Sequence, residues 1–158
     1  MAADSMTGVV KQIMDMITDE LVITSAGTIS REVFAYRDRP ENLYLMGALG
    51  CTLGVGIGLA LNTKRRVVVI AGDGDVLMGL GTLALVERLG LANLELHIID
   101  NGVYASTGCQ PTCSRWVDFG SLTSCTVWDA EPHKTAAPRI TLSPLAIQER
   151  FRHAIKHD

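Results

Sequence analysis

Polar residues in two loops of the sequence could bind an anion together with a metal ion. The turn 72–75 (Gly-Asp-Gly-Asp) follows an uninterrupted apolar run, 67–71, and Asn101 ends the next apolar run, 28 positions after Asp73. Glycines let backbone N–H groups approach a phosphate closely, and the start of a helix adds partial positive charge. A carboxylate in such a turn would repel a bare diphosphate, so we expect a divalent cation between the two.

The same residues indicate which ion to expect. The Asp73 carboxylate, the Asn101 amide oxygen and the main-chain carbonyl of Val103 are the predicted ligands, with room for two diphosphate oxygens and a water. Such hard oxygen ligands in octahedral geometry favour Mg²⁺. A dinucleotide site is a poorer interpretation, because its third glycine would fall at Leu77. Without Asn101, the Gly-Asp-Gly motif would be explained equally well by an ordinary tight turn with no ligand.

The elements that must position these residues follow from the apolar periodicity. Helices are predicted at 6–18, 31–36, 49–62, 80–89 and 145–155, and strands at 21–24, 67–71, 94–99, 126–128 and 139–142. Their alternation predicts an α/β fold with a doubly wound, mostly parallel sheet and helices on both faces, forming one domain over 1–158. Ligands bind at the carboxyl ends of such strands. The loops 25–30, 72–75 and 100–112 begin at these ends.

Composition excludes several classes of function. The net charge is −3 and the Lys and Arg residues are scattered, which argues against a nucleic-acid or anionic-membrane surface. The four cysteines show no Cys-x-x-Cys spacing, so we expect reduced thiols and, with no secretory signal visible, a cytoplasmic protein. The uncharged segment 43–61 is nearly long enough to span a bilayer, but its five glycines suit a closely packed soluble helix equally well. Because strands and helices alternate along the rest of the chain, we expect a soluble α/β domain that does not enter the membrane.

Several motifs together resemble one enzyme family. Gly-Asp-Gly at 72–74 followed by Asn101 resembles the signature of thiamine-diphosphate-dependent enzymes. The loop 100–112 (Asp-Asn-Gly-Val-Tyr-Ala-Ser-Thr-Gly-Cys-Gln-Pro-Thr) resembles the corresponding loop of sulfopyruvate decarboxylase beta subunits, and phosphonopyruvate decarboxylases share most of these features. Further similarities lie at 30–32, 38–42 and 142–151, so that the resemblance covers about 1–115 and 139–156.

The resemblance implies thiamine diphosphate and Mg²⁺ as cofactors and a thiamine-diphosphate-binding fold of the diphosphate-binding (PP) type. The Gly47 carbonyl would accept from the aminopyrimidine, and Leu49 would bend the cofactor. The full set of implied cofactor-binding residues is Gly27, Thr28, Gly47, Leu49, Gly72, Asp73, Gly74, Asp75, Asn101, Val103 and Tyr104. Substrate contacts are expected from Ser106, Thr107, Gln110 and Thr112, although a polar loop that hydrogen-bonds to itself explains them equally well.

The implied activity is a carboxy-lyase that converts 3-sulfopyruvate or 3-phosphonopyruvate into the aldehyde and CO2. The activating glutamate would lie on a separate alpha subunit that binds the pyrimidine, in an assembly of at least α2β2, so no catalytic side chain is expected in this chain. One departure from the family is a shorter segment between Trp116 and Arg139, by about one helix of ~11 residues.

Two alternatives stay open. The beta subunit of a 2-oxoacid:ferredoxin oxidoreductase shares Gly-Asp-Gly-Asp, with its acidic Asp75, and Tyr-x-x-Thr-Gly-x-Gln, but this sequence lacks paired Cys-x-x-Cys ligands for a cluster. The other alternative is a non-catalytic binding module that has kept the fold. The sequence does not decide between a sulfonate and a phosphonate substrate.

Overall fold

The computed structural model describes residues 4–132 and 135–156 as a sheet covered by helices. The strands are β1 (Leu21–Thr24), β2 (Asn42–Tyr44), β3 (Val67–Gly72), β4 (Leu94–Asp100), β5 (Val103–Tyr104), β6 (Gln110–Pro111) and β7 (Thr126–Asp129). The helices are α1 (Met6–Met16), α2 (Thr28–Arg37), α3 (Thr52–Ala60), α4 (Asp73–Met78), α5 (Gly81–Leu89), α6 (Phe119–Leu122) and α7 (Pro144–Ile155), with a 3-10 turn at Ser114–Trp116.

Five strands form a parallel sheet in the order β2-β1-β3-β4-β7, which confirms the predicted α/β fold. The crossovers between these strands bring the carboxyl ends of β1, β3 and β4 to one edge of the sheet. Strands β5 and β6 form a separate antiparallel ribbon in the loop that follows β4. The last pairing in the sheet, between β4 and β7, is parallel as well.

Both faces of the sheet are buried because its strands are apolar at successive positions. In β3, Val68 and Ile70 pack into one cluster with α1 and α2, while Val67, Val69 and Ala71 pack into a second cluster with α3, α4 and α5. The uninterrupted run of β3 therefore stabilises two layers of helices at once, as a doubly wound sheet requires.

Three predicted elements differ from the structure. The segment 139–142 is not a strand: Ile140 and Leu142 pack against a core cluster instead, between prolines that limit backbone pairing. The run 43–61 is divided between β2 and α3, because positive φ angles at Gly47 and Gly50 interrupt it. Among the described residues no helix is long and apolar enough to cross a membrane. The turn 72–75 forms the start of α4.

Candidate diphosphate and metal site

The predicted cofactor residues converge at the carboxyl ends of β1, β3 and β4. One cleft there is lined by Thr28, Leu49, Asn101, Val103, Tyr104 and the turn 72–75. Gly27 and Gly47 line a neighbouring cavity, and Ser106 lines both. The sequence-based grouping thus corresponds to a real juxtaposition of side chains, although the roles assigned to the individual residues stay predictions.

Asp73 is the buried carboxylate of this cleft, with 2% of its surface exposed. Its Oδ2 accepts a hydrogen bond from Thr112 Oγ1 at 2.5 Å. Burial raises the pKa of Asp73, and the nearby charge of Asp100 raises it further, while the Thr112 hydroxyl and the nearby backbone N–H groups of Gly74 and Asn101 oppose the shift. A cation beside Asp73 would favour the ionised form that burial disfavours.

Asn101 and Val103 lie next to this carboxylate. The Asn101 side chain is mostly buried, and its Oδ1 accepts from Val103 N at 3.1 Å, which closes a local turn over Gly102. The Val103 carbonyl accepts from Ala105 N at 3.0 Å, which uses one of its two lone pairs. Both oxygens are therefore held by backbone geometry, and each keeps a lone pair for a cation.

The donor set fits Mg²⁺ only when an anion completes it. Within 4–132 and 135–156 there is no group of three or more His, Cys, Asp or Glu side chains that could hold a metal. Asp73, Asn101 and the Val103 carbonyl together supply a single negative charge. Mg²⁺ is commonly bound by one or two carboxylates together with substrate phosphate oxygens. The residues fit a magnesium diphosphate better than a metal held by protein alone.

Small residues keep the floor of the cleft open. The Gly72 N–H donates to Ser25 Oγ at 3.3 Å, and both residues line the cleft. Ser25 was not among the predicted site residues. A Cβ at Gly74 would lie 2.4 Å from the Tyr104 ring, which leaves no room for any other residue there. Gly27 has φ +95°, and a Cβ on it would lie 3.0 Å from that of Ser106. These glycines let three loops approach each other closely.

The Asp75 side chain bonds to the loop that follows Leu49. Its buried Oδ1 accepts from Gly50 N at 2.7 Å. Burial raises the pKa of Asp75, while the hydrogen bond from Gly50 N and the nearby polar groups of Thr52 oppose that shift. The side chain thus ties the start of α4 to the segment that carries Leu49, while the backbone at 75 remains the predicted diphosphate contact.

Leu49 is not a core residue, since 42% of its surface is exposed and it lines the cleft. Burial in the core, the ordinary explanation for a leucine, therefore does not apply to this side chain. Gly47 precedes it with φ +67°, in the left-handed region that favours glycine. An exposed apolar side chain at the mouth of a cleft suits contact with a ring of the cofactor.

The four predicted substrate residues occupy different environments. Thr107 Oγ1 donates to Gln110 Oε1 at 2.9 Å, and Gly108 N donates to the same oxygen at 3.0 Å, so this part of the loop bonds to itself. Thr112 is buried against Asp73, where its hydroxyl positions the carboxylate. Ser106 alone of the four lines the cleft.

A comparison with known families decides what this cleft belongs to. The family model for the C-terminal TPP-binding domain of thiamine pyrophosphate enzymes matches residues 25–138. The chain belongs to this family. Both the predicted family and the predicted fold are thereby confirmed, and thiamine diphosphate is the ligand of the family's domain.

Individual relatives carry three kinds of name. The chain is 33% identical to the sulfopyruvate decarboxylase subunit beta of Methanococcus maripaludis, across 94% of this chain and 96% of that protein. It is 45% identical to the phosphonopyruvate decarboxylase of Streptomyces viridochromogenes, across 66% of this chain and 26% of that protein. It is 33% identical to the 2-oxoacid:ferredoxin oxidoreductase 2 subunit beta of Aeropyrum pernix, across 57% of this chain and 36% of that protein.

The first of these alignments bears on the length of the chain. It runs over 177 positions, of which this chain fills about 149, so about 28 positions of the alignment have no counterpart here. This agrees with a chain that is shorter than its relatives. The location of the shortening between Trp116 and Arg139 stays a prediction.

Proposed function

We propose that the chain is the beta subunit of a thiamine-diphosphate- and Mg²⁺-dependent 2-oxoacid decarboxylase. Its substrate would be 3-sulfopyruvate or 3-phosphonopyruvate, which it would convert into the aldehyde and CO2. The observation that carries the proposal is the buried Asp73 carboxylate, which is bonded to Thr112 and lines one cleft with Asn101 and Val103. The relatives that the chain matches over most of its length support the reaction class.

In this proposal the chain binds and orients the cofactor. Asp73, Asn101 and the Val103 carbonyl would hold Mg²⁺, and the backbone at 72–75 would hold the diphosphate. When bound, thiamine diphosphate supplies the nucleophilic carbon and the electron sink that decarboxylation of a 2-oxoacid requires. Leu49 would fix the relative orientation of the two cofactor rings, and the apolar side of the cleft would exclude water.

The partner in the proposal is an alpha subunit that binds the pyrimidine, in an assembly of at least α2β2. Helices α3, α4 and α5, which are neighbours, and the junction between α4 and α5 carry exposed large apolar side chains: Val55, Met78, Leu80, Leu85 and Leu89. Large exposed apolar patches are typical of protein–protein interaction sites. The face is continuous with the cleft, because Gly50, next to Leu49, packs against Met78 and Gly79. A subunit seated there would therefore reach the cofactor.

Release of CO2 from 3-sulfopyruvate and 3-phosphonopyruvate tests the proposal. The chain is assayed alone and co-expressed with a pyrimidine-domain subunit, with thiamine diphosphate and Mg²⁺ supplied. We expect release by the pair only, its loss in Asp73→Ala, and full activity in Asp19→Asn, an exposed carboxylate outside the cleft. A stable, cofactor-loaded pair that releases CO2 from neither acid would contradict the decarboxylase and favour a non-catalytic module.

The oxidoreductase remains the second candidate because of the relative in Aeropyrum pernix. The four cysteines are unpaired: Cys51 and Cys113 are exposed, and Cys109 and Cys125 are partly exposed. An iron–sulfur cluster requires several thiolates at one point, and the described residues contain no such group. Visible absorbance of a cluster in the purified chain, together with 2-oxoacid-dependent reduction of ferredoxin, would support the oxidoreductase.

A further inference from the structure

A second cavity of about 490 Å³ adjoins the cofactor cleft and has a distinct charge. It lies beside the carboxyl ends of β1 and β2, and Ser106 lines both spaces. Among the described residues, the side chains around the second cavity include two guanidinium groups, Arg31 and Arg139, and no carboxylate. In a chain of net charge −3, this is a local concentration of positive charge beside the predicted reaction centre.

Arg31 is fixed in place by the backbone opposite it. Its Nε donates to the Pro138 carbonyl at 3.2 Å, and one of its terminal nitrogens donates to the Ala137 carbonyl. These bonds hold the backbone at Ala137 and Pro138, directly before Arg139. Arg31 therefore fixes the segment that carries Arg139. A guanidinium has five N–H donors, and the two carbonyls occupy only part of this capacity.

We propose that Arg31 and Arg139 form a subsite for the tetrahedral oxyanion of the substrate, the sulfonate or phosphonate at C3. This inference rests on the proposed function, since it names the residues that would bind the second anionic group of that substrate. A guanidinium matches the planar spacing of two oxyanion oxygens and stays charged at every physiological pH. Ser106 connects the subsite to the cofactor cleft, so a three-carbon acid can lie with its 2-oxo group in the cleft and its far anion on the arginines.

The subsite also explains a selectivity that the cofactor does not provide. Thiamine diphosphate chemistry is available to any 2-oxoacid, and pyruvate is the same acid without the second anion. A site with two guanidinium groups favours the acid that carries the second anion, because only that acid gains charge-assisted hydrogen bonds to them. Arg31 and Arg139 are therefore assigned as specificity-determining residues.

The first test is anion binding by the full chain, which does not depend on activity. Methylphosphonate and methanesulfonate are titrated while amide shifts are recorded by NMR. We expect saturable shifts at Gly47 and Ser106, and an affinity that falls about tenfold in Arg139→Gln, as for the loss of one charge-assisted hydrogen bond. Arg152→Gln removes an exposed arginine on α7 and is expected to change nothing. The absence of saturable binding, or equal weakening by both variants, would overturn the subsite.

The second test separates this inference from the proposed function. In the active pair, Arg139→Gln is expected to lower kcat/KM for the sulfonate or phosphonate acid about tenfold, with that for pyruvate unchanged. Arg31→Lys keeps the positive charge but loses the planar guanidinium with its paired N–H donors. It is expected to lower kcat/KM for the sulfonate or phosphonate acid without loss of folded chain. An active pair whose substrate ratio both variants leave unchanged would refute the subsite. A wild-type pair inactive on every acid would refute the proposed function, and anion binding would then decide on the subsite alone.

Discussion

Replacement of Thr112 by valine tests whether its hydroxyl holds the Asp73 carboxylate, the proposed ligand of Mg²⁺. The substitution keeps the shape of the side chain but removes the 2.5 Å bond to Asp73 Oδ2 and the acceptor of the Ser114 N–H. A hydrogen bond to a charged group contributes about 1.5–3 kcal/mol to the free energy of unfolding. We therefore expect a loss of about 1.5–3 kcal/mol in the metal-free chain, measured by urea unfolding.

The pH dependence of this loss follows from the charge of Asp73. The Thr112 hydroxyl lowers the pKa of Asp73 and so favours the ionised form, while burial raises it. The bond therefore stabilises the fold most where Asp73 is ionised, and the effect of Thr112→Val should grow as the pH rises through the pKa of this carboxyl. The affinity for Mg²⁺, measured by calorimetry with thiamine diphosphate present, should fall about 10–100-fold, as for other groups that orient a metal ligand.

Thr123 provides the matched control. Its hydroxyl is also buried, but it has no hydrogen-bond partner among the described residues. Thr123→Val should therefore leave the free energy of unfolding unchanged or raise it by about 1 kcal/mol, with the Mg²⁺ affinity unaltered. Equal effects of the two substitutions on stability, or an unchanged Mg²⁺ affinity in Thr112→Val, would refute the positioning role.

Three further substitutions probe other contacts. Gly74→Ala places a methyl group 2.4 Å from the Tyr104 ring and should cost about 1–3 kcal/mol in urea unfolding; an unchanged midpoint would contradict the close packing. Leu49→Ala should change stability by less than about 0.5 kcal/mol but weaken thiamine diphosphate binding about tenfold by calorimetry. Burial lowers the pKa of His97, whose Nδ1 accepts from Trp128 Nε1 at 3.1 Å. The stability that the neutral His97 ring provides is therefore present above pH 6.5, the pKa of histidine in the unfolded chain, and is lost as the pH falls below it. On acidification below pH 6.5, the melting temperature should drop less in His97→Phe than in the wild-type chain.

Much of the framework could be predicted because local patterns determine it. The run at 67–71 lacks alternation, which indicated a strand buried on both faces, and β3 is such a strand. Asn101 followed the next apolar run, and it lies beside Asp73 because parallel strands place their carboxyl ends together. Chain order and strand type were sufficient to bring the two ligands to one cleft.

Contacts between distant residues could not be read in the same way. Thr112 reaches Asp73 across 39 positions, and nothing in the loop 100–112 distinguishes this threonine from Thr107, which bonds within the loop. Asp75 bonds to Gly50 because α4 packs against α3, a tertiary contact that the spacing of Asp73 and Asp75 does not reveal. Strand β2 was missed because two of its three residues, Leu43 and Tyr44, begin the longer uncharged run 43–61.

Three features of the site bear on how the proposed ligands would act together. Asp73 is a buried carboxylate, Leu49 is exposed at the cleft, and α3, α4 and α5 carry exposed apolar side chains. Bound Mg²⁺, the cofactor and the proposed partner would each stabilise one of these features. A ligand that binds only the folded chain stabilises it by about 2.7 kcal/mol at 100 times its Kd. Because Gly50 connects the apolar face to the cleft, cofactor binding and subunit assembly should strengthen each other.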